Sequence, residues 1–139
     1  PAAAKTTPSA ATSATLPQPL RDYVGGDVDT IPWRSVGGGV RQHVITTSDK
    51  AWSRLLLIPP GRPVPEHGHR GRELTLVLSG SFTDQHGAYS RGDMGDVAED
   101  TVHSPAAGPG ENCVCLAITD APIKFTALLP RLIQPFIRI

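Results

Sequence analysis

The sequence predicts an all-β domain, a sandwich or barrel, and three observations carry that reading. Short runs rich in branched and aromatic residues recur along the chain from Trp33 onward. Glycine and proline separate almost every pair of runs, as tight turns between short strands require. No long stretch shows the periodicity of an amphipathic helix before the C-terminal segment. Many short strands at such spacing, punctuated in this way, pack as two sheets or close on themselves.

Taken in order, the elements begin with a leader. Residues 1–19 are Ala, Thr, Ser and Pro with a single charge, Lys5. That composition buries too little apolar surface to offset the entropy of ordering, so a disordered interdomain linker is expected there, with the folded domain over 20–139 and a neighbour upstream. Leu20 to Val24 reads as a short turn or a first anchoring contact. Strands are expected over Val40 to Thr47 and Ala51 to Ile58, bounded by Gly37-Gly38-Gly39, Ser48-Asp49-Lys50 and Pro59-Pro60-Gly61. Further strands follow over Glu73 to Ser79, Ser81 to Asp84, Ala88 to Tyr89, Asp96 to Ala98, Val102 to Ser104 and Cys113 to Thr119. In Phe125 to Ile139 the leucines and Ile133 suit one or two helical turns over a barrel end, while Pro130 and Pro135 forbid a long helix.

Composition narrows the function. The chain of 139 residues is one domain, and 13 basic against 13 acidic residues give no net charge to attract a polyanion. No basic, aromatic-interleaved patch suggests nucleic acid, and no apolar run approaches the length of a bilayer span, so neither a nucleic acid nor a membrane is an expected partner. The two cysteines, Cys113 and Cys115, lie two apart on one strand, parallel and too distant for an easy disulfide. The absence of a disulfide framework fits a reducing cytoplasm.

The stretch from Gly61 to Gly80 concentrates the chemistry. In extended backbone His67 and His69 face the same side, and a turn through Arg70-Gly71-Arg72 returns Glu73 beside them. Two neutral imidazoles and a carboxylate suit a borderline divalent cation such as zinc, iron, manganese or nickel. Glu66 alternates to the opposite face. His43 and His86 stand outside any such frame and read as structural or solvated; Glu99 and Asp100 read as solvated in a turn, and Arg70 and Arg72 as solvated, with support of Glu73 by one of the two arginines as the alternative.

Gly61-(x5)-His67-x-His69-(x3)-Glu73-(x6)-Gly80 resembles the first cupin motif at every defined position. Chance agreement at five such positions is on the order of one in a few million per starting site. A looser second motif opens at Gly92-Asp93 and places His103 where cupins carry their last histidine ligand. It departs from the pattern at Ala98 for Pro, Asp100 for Gly and Ala107 for Asn. The cupin resemblance implies a double-stranded β-helix, or jelly-roll barrel, and a metal held by His67, His69, Glu73 and His103.

The C-terminal half, from Glu111-Asn112-Cys113-Val114-Cys115 to Leu129-Pro130-Arg131-Leu132-Ile133-Gln134-Pro135-Phe136, is similar to the ChrR-type anti-sigma factors. That resemblance covers Trp33 to Ile139. It implies a zinc-binding cupin-like sensor domain, linked to a separate N-terminal domain that holds an extracytoplasmic-function sigma factor inactive until singlet oxygen or related oxidants appear. Cys113 and Cys115 are then candidates for redox-sensitive thiols, although two buried cysteines acting as small hydrophobes is the simpler reading. The wider cupin resemblance also admits an iron or manganese enzyme, dioxygenase- or isomerase-like, on the same ligands. No second carboxylate pair or further base supports it. A ligand-binding or structural barrel in which metal only stabilises the fold is the third reading.

Overall fold

The structure, a computed structural model, describes residues 13–46, 48, 50–121 and 123–125. One short helix, α1 (Gln18–Val24), precedes twelve strands: β1 (Arg34–Gly37), β2 (Val40–Thr46), β3 (Trp52–Ile58), β4 (His67–His69), β5 (Glu73–Ser79), β6 (Ser81–Asp84), β7 (Gly87–Ser90), β8 (Met94–Val97), β9 (Val102–His103), β10 (Ala106–Ala107), β11 (Cys113–Thr119) and β12 (Ile123–Phe125). The all-β class expected from the sequence is the class observed. Among the described residues no helix is long and apolar enough to cross a membrane.

A six-stranded sheet runs β1-β2-β3-β11-β5-β8, and two three-stranded sheets run β10-β6-β7 and β12-β4-β9. Neighbouring strands pair antiparallel, with a register shift between Val114 and Cys115 where β11 meets β5, and along each pleated strand side chains alternate between two faces. On β11 the residues Cys113, Cys115, Ala117 and Thr119 face the interior, while Val114 and Leu116 face outward. On β5 Glu73, Thr75 and Val77 face inward, and Leu76 and Leu78 outward. Each face has its own apolar cluster. The inner one gathers Val40, Ile58, Val77, Phe82 and Cys113; the outer one gathers Ile45, Leu55, Leu57, Leu78 and Val114.

The outer cluster is closed by the segment preceding β1, and this corrects the expected boundary of the linker. Leu16, placed by composition within a disordered leader over 1–19, is 1% exposed and joins Ile31 in that cluster. Asp27 ties the segment down: its carboxylate accepts backbone N–H bonds from Thr15 at 2.9 Å, Leu16 at 3.0 Å and Val28 at 2.8 Å. The stretch Leu20 to Val24 lies within α1, whose Leu20 and Val24 pack on the same cluster. Gly25, at φ 83°, ends that helix in the left-handed conformation. The folded module therefore starts before Leu20. Residues 1–12 of the expected linker, and the helical turns expected beyond Phe125, lie outside the described residues.

Two turns hold the site strands in place. Gly80, between β5 and β6, has φ 67°, and a Cβ there would stand 2.4 Å from the carbonyl oxygen of Asn112. Only glycine meets both conditions. At the turn before β9, Asp100 adopts φ 63°, and its backbone N–H donates to the His69 carbonyl at 3.0 Å. Aspartate is among the few residues that tolerate this conformation, so it substitutes for the glycine of the second cupin motif and the turn survives.

Candidate metal centre

β4 carries His67 and His69 to one face, with Gly68 between them on the other. β9 pairs antiparallel with β4 and sets His103 directly opposite His67. Glu73 opens β5 from the large sheet. The structure brings these four side chains, all largely or wholly buried, to one point, with a ligand atom of each within 4.8 Å of the others. The His103 Nε2 lies 3.0 Å from His67 Nε2 and 3.1 Å from His69 Nε2, and 3.7 Å from Glu73 Oε1.

The tautomers decide what this cluster can hold. His67 Nδ1–H donates to the Pro65 carbonyl at 2.8 Å, and His103 Nδ1–H donates to Asp84 Oδ2 at 3.0 Å. Both rings therefore aim Nε2 lone pairs at each other across 3.0 Å. Lone pairs that close repel unless a cation lies between them. A shared proton could satisfy one such contact. It cannot at the same time satisfy His69 Nε2 and the carboxylate, whereas one divalent cation satisfies all four. Two ligands on a cation at bond lengths of about 2.0 to 2.1 Å stand roughly 3.0 to 3.4 Å apart, which matches the imidazole spacing. The residues fit a metal.

The electrostatics agree. Burial, reinforced for His69 by the neighbouring imidazoles, lowers His67 and His69 to about 4, so both rings are neutral and available as ligands at physiological pH. Burial raises the Glu73 carboxyl, against the pull of His103, Thr75 and Arg54. Burial would also raise Asp84, but hydrogen bonds from His103 and from the backbone of His86 and Gly87 outweigh it and hold the group below its ordinary value. Asp84 is thus a carboxylate that orients His103, the role a carboxylate commonly plays behind a metal-bound imidazole.

Two residues of the site were not singled out in the sequence. Asp84 begins the hairpin turn of β6 and β7, where an aspartate bonding to backbone N–H groups two and three residues on is sufficient explanation by itself. Arg54, buried within β3, interacts electrostatically with Glu73. A lone arginine inside Trp52-Ser53-Arg54-Leu55-Leu56-Leu57-Ile58 was the available signal. The remaining candidates sit elsewhere. Arg72 forms a two-pronged ion pair with Asp96, with Nε 2.7 Å from Oδ1, and not with Glu73. His43 bonds the Pro32 carbonyl at 3.0 Å, His86 lies exposed in the hairpin turn, and Glu66 bonds Ser104 at the surface.

Cys113 and Cys115 are both free and buried. Their mutual hydrogen bond, together with burial, raises the Cys115 thiol well above its ordinary value. Cys115 also lines a cavity of about 280 Å³ that lies between the sheets and reaches His67, Glu73 and His103. Its walls are chiefly apolar, including Val40, Leu56, Ile58, Val64 and Phe82.

Comparison with known proteins places these features in context. The family model described as the ChrR cupin-like domain matches residues 22–121. The anti-sigma-E factor ChrR of Cereibacter sphaeroides is 50% identical over 123 residues, covering 88% of this chain and 58% of that protein. This chain thus spans rather more than half the length of that relative. The crystal structure of Rhodobacter sphaeroides SigE in complex with the anti-sigma ChrR is similar at TM-score 0.72 and 48% identity, over 76% of this chain and 57% of the matched one. An RmlC-like cupin from Ralstonia eutropha shares the fold at TM-score 0.64 and 18% identity, over 74% and 71% of the two chains.

Proposed function

The chain belongs to the ChrR cupin-like domain family, and from that premise we propose that it is the metal-binding sensor domain of an anti-sigma factor. Its partner would be an extracytoplasmic-function sigma factor in the cytoplasm, held inactive until singlet oxygen or a related oxidant appears. The principal sigma-factor contact is assigned to a domain outside the one described, as the family resemblance implies. The observation that carries the reading is the convergence of His67, His69, Glu73 and His103 on one point.

Four protein ligands suit zinc in a closed site. Zinc would supply rigidity and positive charge without redox chemistry of its own. The chain's residues do the rest: Pro65 and Asp84 fix the tautomers of His67 and His103, and the apolar walls limit water around the centre. A sensor on this plan needs a local chemical change that biases how the domain packs against its neighbour. Cys113 and Cys115 are one candidate for that change, although the burial of both favours a packing role in the resting domain.

The second reading is a metal-dependent enzyme using the same ligands with iron or manganese. The cavity beside the centre is the observation that favours it. Reconstitution of the full-length protein with its sigma factor separates the two. The expected result is one zinc per chain, and oxidant-triggered sigma release that is lost in His67→Ala and Glu73→Gln. Release as fast in those variants as in the parent would remove the sensor role. Iron or manganese with exchangeable waters and turnover of a small substrate would favour the enzyme.

A further inference from the structure

The four candidate ligands are divided between two sheets. His67, His69 and His103 belong to β4 and β9, which pair with each other in one small sheet, so the register of that sheet fixes the imidazoles together. Glu73 comes from β5 in the large sheet. Its place against the imidazoles depends on how the two sheets are held relative to each other.

Two crossovers run side by side at this point. Arg70-Gly71-Arg72 carries the chain from β4 to β5, and Asp120 and Ala121 begin its return from β11 to β12. The strands they join are partners at both ends: Thr119 pairs with Glu73 in the large sheet, and Ile123 with His69 in the small one. Asp120 ties the crossovers to each other. Its Oδ1 accepts the Arg72 backbone N–H at 2.8 Å, and its own N–H donates to the Arg72 carbonyl at 3.4 Å. Gly71 leaves room for that carboxylate, since a Cβ there would lie 1.8 Å from Asp120 Oδ1. The Arg72 side chain is engaged elsewhere, with Asp96, in an exposed ion pair of the kind that contributes little. The bond that fixes the residue next to Glu73 is therefore the one from Asp120 to its backbone.

We infer that Asp120 is a positioning residue for the metal centre: it locks the β4–β5 crossover to the β11–β12 crossover and so holds the Glu73 carboxylate against the imidazoles. The inference rests on the metal-site reading above, whereas the paired crossovers do not.

The test is zinc competition against a chromogenic chelator for the parent, Asp120→Ala, Glu73→Gln and the double variant, with circular dichroism to verify folding. Asp120→Ala should weaken zinc about tenfold, as partners behind metal ligands commonly do. Asp120→Asn keeps an oxygen acceptor for the Arg72 N–H and should stay within about threefold of the parent, as should Asp96→Ala, which removes only the exposed ion pair. In the Glu73→Gln background Asp120→Ala should cost less than about twofold, because residues that act through one another are not additive. The visible spectrum of the cobalt(II)-substituted Asp120→Ala protein should move toward that of Glu73→Gln, as it must if the carboxylate is no longer held in place. If Asp120→Ala does not fold, Gly71→Ala, whose Cβ displaces the same carboxylate, carries the same cycle.

Zinc affinity in Asp120→Ala within about twofold of the parent, or a loss that persists undiminished in the Glu73→Gln background, would overturn the inference. So would weakening that asparagine does not rescue, or a cobalt spectrum unmoved by Asp120→Ala. The parent protein keeps the two readings apart. Any of these results in a parent that takes up zinc overturns this inference alone, whereas a parent that takes up no zinc overturns the metal-site reading and this inference with it.

Discussion

Replacing Asp84 with asparagine tests whether a carboxylate outside the ligand set governs metal affinity. Asp84 Oδ1 accepts the N–H groups of His86 at 2.8 Å and Gly87 at 3.1 Å, while Oδ2 accepts His103 Nδ1–H at 3.0 Å. Asparagine can keep its oxygen on the two backbone donors, so the hairpin turn is retained. Its amide N–H₂ then faces the Nδ1–H of His103, donor against donor. The ring can relieve the conflict by moving its proton to Nε2, but that removes the lone pair the metal needs. The loss of one charge-assisted hydrogen bond is worth about 1.5 to 3 kcal/mol, or roughly ten- to 150-fold in affinity. Partners behind metal-bound histidines typically contribute about ten- to 100-fold, in the same range. Competition of the loaded protein against a chromogenic zinc chelator near neutral pH measures the effect directly, with circular dichroism as the control for the turn. Zinc affinity in Asp84→Asn within a factor of two of the parent would show that His103 is oriented without Asp84, and the tautomer argument would fail.

Other perturbations follow from the same structure. In the metal-free domain His67 and His69 titrate near 4, below their value of about 6.5 in the unfolded chain, so the unfolded state binds more protons between those limits and stability falls as pH drops through that window. The slope is at most about 1.4 kcal/mol per pH unit per imidazole, and Glu73, raised by burial, opposes it over its own range; urea melts from pH 7 to pH 4 that show no net loss would contradict the buried neutral rings. Leu16→Ala should cost about 2 to 4 kcal/mol in urea denaturation, because Leu16 is 1% exposed in the outer cluster; a loss under about 0.5 kcal/mol would return it to the linker. Cys113 and Cys115 should resist an aromatic disulfide reagent in the native protein and react promptly in urea, and rapid native labelling would show that they are more accessible than their burial implies.

How much of this was legible beforehand depends on the range over which each signal acts. His67, His69 and Glu73 are local: strand alternation and a short turn suffice to bring them together, and both can be read from spacing. His103 lies far along the chain and was reached only through the resemblance to a family motif, since nothing in Val102-His103-Ser104 itself indicates which strand it pairs with. Asp84 and Arg54 were missed because their roles are set across strands, by partners whose register the sequence does not display. The longer strands followed from their branched residues, whereas β1 and β10 are short and rich in glycine, serine or alanine, and are held as strands by their neighbours. The leader was misjudged at Leu16 because composition averages over a window, while burial there depends on a single leucine and on Asp27 anchoring the backbone beside it.

The large sheet is a partition one backbone thick. Val77 rests in the inner cluster and Leu78, the next residue, in the outer one, and Cys113 and Val114 divide in the same way. No intervening layer of side chains can absorb a displacement. A shift of β5 or β11 would therefore bear directly on the outer cluster, where Leu16 and, from α1, Leu20 and Val24 are packed.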